Sequence, residues 1–340
     1  MKVRGKLHHV MGACACAWIV AGNAAAQASV DSSDLDRQSR DDAWWTGPIL
    51  AASAGSMPKG HWLVEPYVFN VNSNARYDND RRRHPKDRSN SLGNFTYINY
   101  GLTDRLTVGA IPRFAYNDVS QGQDSSGIRI ADLSLQAQYR LTQYTEGSKM
   151  PTIGLNLSET FPTGRYDGLG SRPSDGVGAG AYTTTLSLYS QYFLWMPNGR
   201  IVRTRFNLSY AISDHVNVED VSVYGTNDGF RGSARPGNSF TATSAWEYSA
   251  TRNWVLAIDV AYQRDSTTSV RGVEPRIGSD FPRPMAVAFN SGVRETLSLS
   301  PAIEYNWNGR MGIIVGTVFT AAGRNAAATL IPVTAINMVF

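Results

Sequence analysis

Apolar and polar residues alternate with period two along most of this chain. In 202–212, Val202, Thr204, Phe206, Leu208, Tyr210 and Ile212 share one face, and Arg203, Arg205, Asn207 and Ser209 share the other. In 254–263, Trp254, Leu256, Ile258, Val260 and Tyr262 oppose Asp259 and Gln263. In 131–141, Leu133, Leu135, Ala137, Tyr139 and Leu141 oppose Asp132, Gln136, Gln138 and Arg140. The last stretch, 328–340, also alternates and stops on Phe340. The pattern predicts about twelve strands, at 61–72, 92–100, 105–116, 128–141, 151–161, 181–195, 200–212, 239–249, 254–265, 292–305, 310–320 and 328–340. Several match the ~9–11 residues that cross a bilayer at a tilt. Aromatic residues near the ends of the apolar faces, such as Tyr139, Trp195, Tyr210, Tyr248, Trp254, Tyr262 and Tyr305, suit interfacial girdles.

The connections between these stretches alternate in length. Short ones fall at 101–104, 142–150, 196–199, 250–253 and 306–309, and long ones at 73–91, 117–127, 162–180, 213–238 and 266–291; of the outer loops only the last, near 321–327, is short. A sandwich has no reason to alternate in this way. An up-and-down antiparallel barrel does, with tight periplasmic turns and longer outer loops. The expectation is therefore an all-β chain, a single transmembrane barrel spanning 61–340. An even strand count with a long first loop places both termini in the periplasm.

The amino-terminal region changes how composition is read. Lys2, Arg4 and Lys6 precede an apolar run at 10–22 and small residues at 24–28, the pattern of an export leader over 1–28. Met11–Cys14 faintly resembles a lipoprotein cleavage site, but the apolar run continues past Cys14. Both cysteines, Cys14 and Cys16, lie inside this leader, so the mature chain uses neither disulfides nor thiolate–metal sites. The leader holds three basic residues and no acid, so the formal charge of +4 becomes +1 once it is removed. The high pI is thus no argument for nucleic acid. In an exported chain, a closing strand that ends in Phe resembles the last strand of a bacterial outer-membrane barrel, read there by the barrel assembly machinery. That places the protein in the cell outer membrane.

Residues 29–60 begin polar and acidic, then turn to Trp44, Trp45 and a Gly/Ala/Pro run. This segment is expected to be either an irregular periplasmic lead into the first strand or a partial plug of the bore. Inward faces would carry Glu65, Arg113, Asp132, Arg140, Arg203, Arg205, Glu247, Asp259, Arg294 and Glu304. Charges there need water or partners. They read either as an internal ion-pair network filling a narrow barrel or as a lining that selects what passes. In the second reading the arginines, Arg203 and Arg205 among them, attract a carboxylate or phenolate, and the acids hold them in place. Arg81, Arg82 and Arg83 in the first outer loop are positioned to meet lipopolysaccharide phosphates.

Catalysis is not expected. His61, His84 and His215 are the histidines beyond the leader, and no apolar-faced strand joins a His and a Ser in register. No spacing predicts a metal or cofactor.

Residues 100–114, YGLTDRLTVGAIPRF, resemble the turn and strand of the outer-membrane barrel family named for the meta-pathway of phenol degradation. GPILAASAGSMPKGHWLVEPYV (47–68) is similar to the opening of that family, and FPTGRYDG (161–168) to its P-T-G turn. The resemblance implies passage of small, often aromatic or hydrophobic compounds and no catalytic residues. The alternative is a non-transporting structural or adhesion barrel that acts through its outer loops.

Overall fold

The computed structural model describes residues 37–275 and 284–340. The expected leader at 1–28 lies outside the described residues. In chain order the strands are β1 (Trp62–Tyr77), β2 (Arg83–Gly101), β3 (Leu106–Ile111), β4 (Arg113–Val119), β5 (Arg129–Ile130), β6 (Leu133–Thr142), β7 (Thr152–Phe161), β8 (Thr183–Trp195) and β9 (Ile201–Ser213). They continue with β10 (Val216–Glu219), β11 (Arg231–Arg235), β12 (Ser239–Ser249), β13 (Trp254–Asp265), β14 (Ser269–Pro275), β15 (Pro284–Asn290), β16 (Arg294–Asn308), β17 (Met311–Arg324) and β18 (Ala326–Val339). Helix among the described residues is confined to two short 3-10 turns.

One antiparallel sheet runs β1, β18, β17, β16, β13, β12, β9, β8, β7, β6, β3, β2, and pairing of β1 with β2 closes it. Pro112, which has no N–H to give a ladder, separates β3 from β4, and both pair with β2. β5 leads into β6 in the same way. With each of these pairs taken as one, the wall has twelve strands, as the alternation predicts.

The burial pattern inverts that of a soluble protein. Large apolar side chains point out and stay exposed, among them Leu135, Leu157, Leu186, Phe206, Leu256, Ile303, Val315 and Leu330. Trp62, Tyr139, Trp254 and Trp307 ring one end of this band, and Tyr182, Tyr210, Phe240 and Tyr262 the other. Inward positions are polar and buried, such as Asn156, Ser187, Gln191, Arg203, Asn207, Glu247, Asp259, Ser300 and Glu304. In lipid the wall must satisfy its own backbone, and closure does so without an edge.

The short connections share one end with both ends of the wall. Trp62 N donates to Phe340 O at 3.1 Å and Phe340 N to Trp62 O at 2.9 Å. The opposite end, called the outer end here because it carries the long connections, departs from expectation in two places. Residues 73–91 are not a loop, because β1 and β2 extend outward as a hairpin turning at Asp78–Arg82. The stretches 213–238 and 266–291 are not plain polar loops either. They supply β10, β11, β14 and β15, which form a separate four-stranded sheet. Its core is Val216, Val218, Phe230, Ala234 and Val270 with Ala181, and Tyr166, Tyr224 and Val287 pack against it. Burying Phe230 and its neighbours lets the sheet stand outside the barrel wall.

Candidate functional site

The lumen is crossed by chain that belongs to no strand. Residues 44–57 enter at the short-turn end, where Trp44 N donates to Arg252 O in the β12–β13 turn at 3.1 Å. They leave at the same end, where Met57 N donates to Thr107 Oγ1 at 2.8 Å and Gly60 N to Gly101 O at 2.8 Å. Between these points the segment, called the strap here, rises to the level of Asp259. Irregular backbone inside a bore has no ladder, so side chains must satisfy it. Glu304 Oε2 accepts from Thr46 N at 2.8 Å and Gly47 N at 3.1 Å. Asp259 accepts from Ile49 N at 3.1 Å and Ala51 N at 3.0 Å, one on each oxygen. Strap carbonyls are met from the other side. Arg205 Nη1 donates to Ala51 O at 2.8 Å, Asn207 Nδ2 to Ala52 O at 3.0 Å and Gln138 Nε2 to Gly55 O at 2.8 Å.

The arginines are engaged rather than free. Arg203 donates to both carboxylate oxygens of Glu247, with Nε to Oε2 at 2.7 Å, and Arg205 Nε lies 3.1 Å from Oε2. All three are buried. The Arg203 guanidinium also sits 4.5 Å from the centre of the Trp45 ring, where a cation gains from the ring face. Glycine makes room for the strap. A Cβ on Gly316 would lie 2.6 Å from Ile49 Cδ1, and one on Gly154 would lie 2.8 Å from Ala54 O.

The two sides of the lumen differ in chemistry. β9, β12, β13 and β16 carry the charges that bind the strap. β1 and β2 face them with an aromatic wall. Tyr67 stacks on Phe95 with ring centres 4.5 Å apart, and Tyr97 meets both edge-on at 5.9 and 5.5 Å. Ile49 of the strap packs on this cluster. Between strap and wall lies a cavity of about 250 Å³. Tyr67, Tyr97, Tyr189 and Leu63 give it apolar surface, and Glu65, Asn99, Gln136 and Asn337 give it polar groups. Asn337 Nδ2 donates to Glu65 Oε1 at 3.2 Å.

Of the ten charged residues expected inside, the structure gathers Arg203, Arg205, Glu247, Asp259 and Glu304 around the strap, with Glu65 across the cavity. Arg140 sits at inward parity near the short-turn end, in register with Gly154. Arg113 and Asp132 belong to the outer rim. Arg113 Nη1 donates to Asp132 O at 3.0 Å and Ser134 Oγ at 2.7 Å. The Asp132 carboxylate accepts from Gly164 N at 2.9 Å and Ala179 N at 2.7 Å, clamping both limbs of the 162–180 loop. Arg294 is also at the outer rim, paired with Asp265 at 2.5 Å. Arg81, Arg82 and Arg83 are exposed at the β1–β2 hairpin, where Arg81 pairs with Glu295 at 2.6 Å.

Further out, Arg129 and Asp175 tie the loop before β5 to the 162–180 loop at 2.7 Å. The Arg129 guanidinium, with help from Ser126, holds the Asp175 carboxyl well below the usual carboxylate range. Sequence reasoning missed the aromatic wall and Asn337. The signal was present, because Glu65, Tyr67 and Phe69 share one face at period two, as do Phe95, Tyr97 and Asn99.

No curated protein matches the chain by sequence. Among solved structures, the COG4313 outer membrane channel from Pseudomonas putida F1 superposes with a TM-score of 0.65 at 15% identity, over 86% of this chain and 100% of that one. The TodX deltaS2S3 mutant monoaromatic hydrocarbon channel gives 0.44 at 13% identity over 83% and 91%. At these identities the likeness is one of fold. A family model covers most of the barrel, residues 58–329, and on that match the chain belongs to the outer-membrane barrel family described as "Putative MetA-pathway of phenol degradation".

Proposed function

We propose that this protein is an outer-membrane channel for small aromatic or hydrophobic solutes, narrowed at its short-turn end by the strap. The observation that carries the reading is the cavity of about 250 Å³ between the strap and the Tyr67–Tyr97 wall. It is smaller than the ~300–1,000 Å³ pockets of drug-sized ligands and suits a single ring. Tyrosine faces supply stacking, and Glu65 and Asn337 supply hydrogen bonds that orient a ring substituent. The family description and the fold shared with the Pseudomonas putida channel support the same reading.

In this reading residues 1–28 are a cleaved leader, both ends of the wall face the periplasm, and Phe340 is read during barrel assembly. Arg203, Arg205, Glu247, Asp259 and Glu304 anchor the strap, and Glu65 meets the solute. The test is uptake of phenol and toluene by proteoliposomes containing the full-length protein. Saturable uptake that Tyr67→Ala and Tyr97→Ala both weaken is expected. Absence of uptake from folded protein, with the strap present and with it deleted, overturns the reading.

The four-stranded outer sheet favours a second reading, a barrel that acts through its loops. Deleting 216–235 would then abolish surface binding while leaving solute flux alone.

A further inference from the structure

The β1–β18 seam contains a crevice that the channel reading leaves unused. Pairing of β1 shifts register between Ser73 and Ala75 against both neighbours, β18 and β2. On β2 the residues between the partners of Ala75 and Ser73 are 86–88. The wall therefore loosens at one height on both sides of β1, as bulges do. The result is a crevice of about 550 Å³ whose lining includes Asn72, Asn74, Arg83, Arg88, Thr320 and Leu330.

Its charge is uncompensated. Among the described residues neither Arg83 nor Arg88 forms an ion pair. The nearby acids are occupied elsewhere. Asp78 accepts from Arg82 N at 2.8 Å and lies 2.7 Å from His84 Nε2, Asp87 accepts from Gln121 Nε2 at 2.9 Å, and Glu295 faces Arg81 and Arg264. Two exposed guanidiniums lining one polar crevice each offer a planar fork of donors to the several oxygens of a tetrahedral phosphate.

Apolar surface adjoins the crevice. Leu330 borders it, and Val68 and Leu92 follow on β1 and β2; all three are outward-facing and 45–51% exposed. We infer that the Arg83–Arg88 crevice binds the phosphate of an acylated, phosphorylated lipid of the outer leaflet, whose chains lie along Leu330, Val68 and Leu92. The inference rests on the channel reading only for which end of the barrel is outside. It also locates the lipopolysaccharide contact expected of Arg81–Arg83: Arg83 and Arg88 make it, while Arg81 is held by Glu295.

The test uses the full-length protein in detergent, with bis-phosphorylated lipid A, dephosphorylated lipid A and inorganic phosphate as probes in native mass spectrometry. Arg83→Gln with Arg88→Gln is expected to weaken lipid A binding about tenfold or more, since charge-assisted hydrogen bonds are lost at both positions. Arg105→Gln with Arg310→Gln, the same charge change at the opposite end, should leave binding intact. Leu330→Ser should weaken lipid A and not inorganic phosphate. Unchanged lipid A binding in the double variant, with heat-modifiable migration showing a folded barrel, overturns the inference. Equal binding of inorganic phosphate and lipid A, with Leu330→Ser silent, overturns the lipid as its source. Conductance is recorded in parallel, so retained lipid A binding without a channel counts against the channel reading alone.

Discussion

Both ends of this barrel carry chain that is not part of the wall, and the two are fastened by similar chemistry but built differently. At the short-turn end Asp259 and Glu304 accept from strap amides. At the outer end Asp132 accepts from Gly164 and Ala179, and Asp175 from Ser126. In each case a carboxylate with several acceptor sites substitutes for a missing ladder. The outer assembly adds what the strap lacks, a paired sheet and an apolar core around Phe230. The strap has two apolar contacts of note, Trp45 and Ile49, and otherwise depends on polar bonds to its backbone. Apolar burial makes a permanent fold, whereas a segment held by its amides can be released when a few acceptors are altered.

The largest expected effect comes from removing the distinction altogether. Deleting residues 44–56 should raise single-channel conductance several-fold in planar bilayers. If conductance does not move, the outer assembly is the constriction and the comparison is inverted. Next in size, Glu247→Ala leaves Arg203 and Arg205 buried without their acid and should destabilise the barrel by about 3–5 kcal/mol, measured by urea unfolding in lipid vesicles. Replacing Arg203, Arg205 and Glu247 together by apolar residues should restore much of that loss. A smaller effect, about 0.5–1.5 kcal/mol in solute affinity, is expected for Tyr97→Ala, with inorganic ion conductance unchanged.

The smallest concerns the outer fastening. The Asp175 carboxyl is depressed in the folded state, so its contribution is present above its unfolded pKa of about 4 and lost as pH falls through the lower folded value. Limited proteolysis of the 162–180 loop should therefore increase at neutral pH in Asp175→Asn, and in the parent protein only in acid. Equal protection of the two at neutral pH would remove Asp175 from the account.

The wall was legible because each crossing strand has one face in hydrocarbon and one in water. That contrast writes itself into alternate residues such as Arg203 to Ile212. It disappears beyond the membrane. Residues 83–90 of β2 lie beyond it and show no period, yet they pair with β1 through backbone bonds. The inward charges were also legible by parity, but their partners were not. Asp259 and Glu304 answer to peptide amides in a Gly/Ala/Pro run whose side chains say nothing about hydrogen bonding. The strand glycines were the available clue, since Gly154 and Gly316 weaken the wall unless another backbone comes close.

The route of the strap has a mechanical consequence. Its two limbs pass the same rim, at Arg252 and at Gly101, so it forms an inverted U rather than a thread through the cylinder. A cork of that shape can leave by the rim it entered, with no strand unzipped and no end passed through a hole.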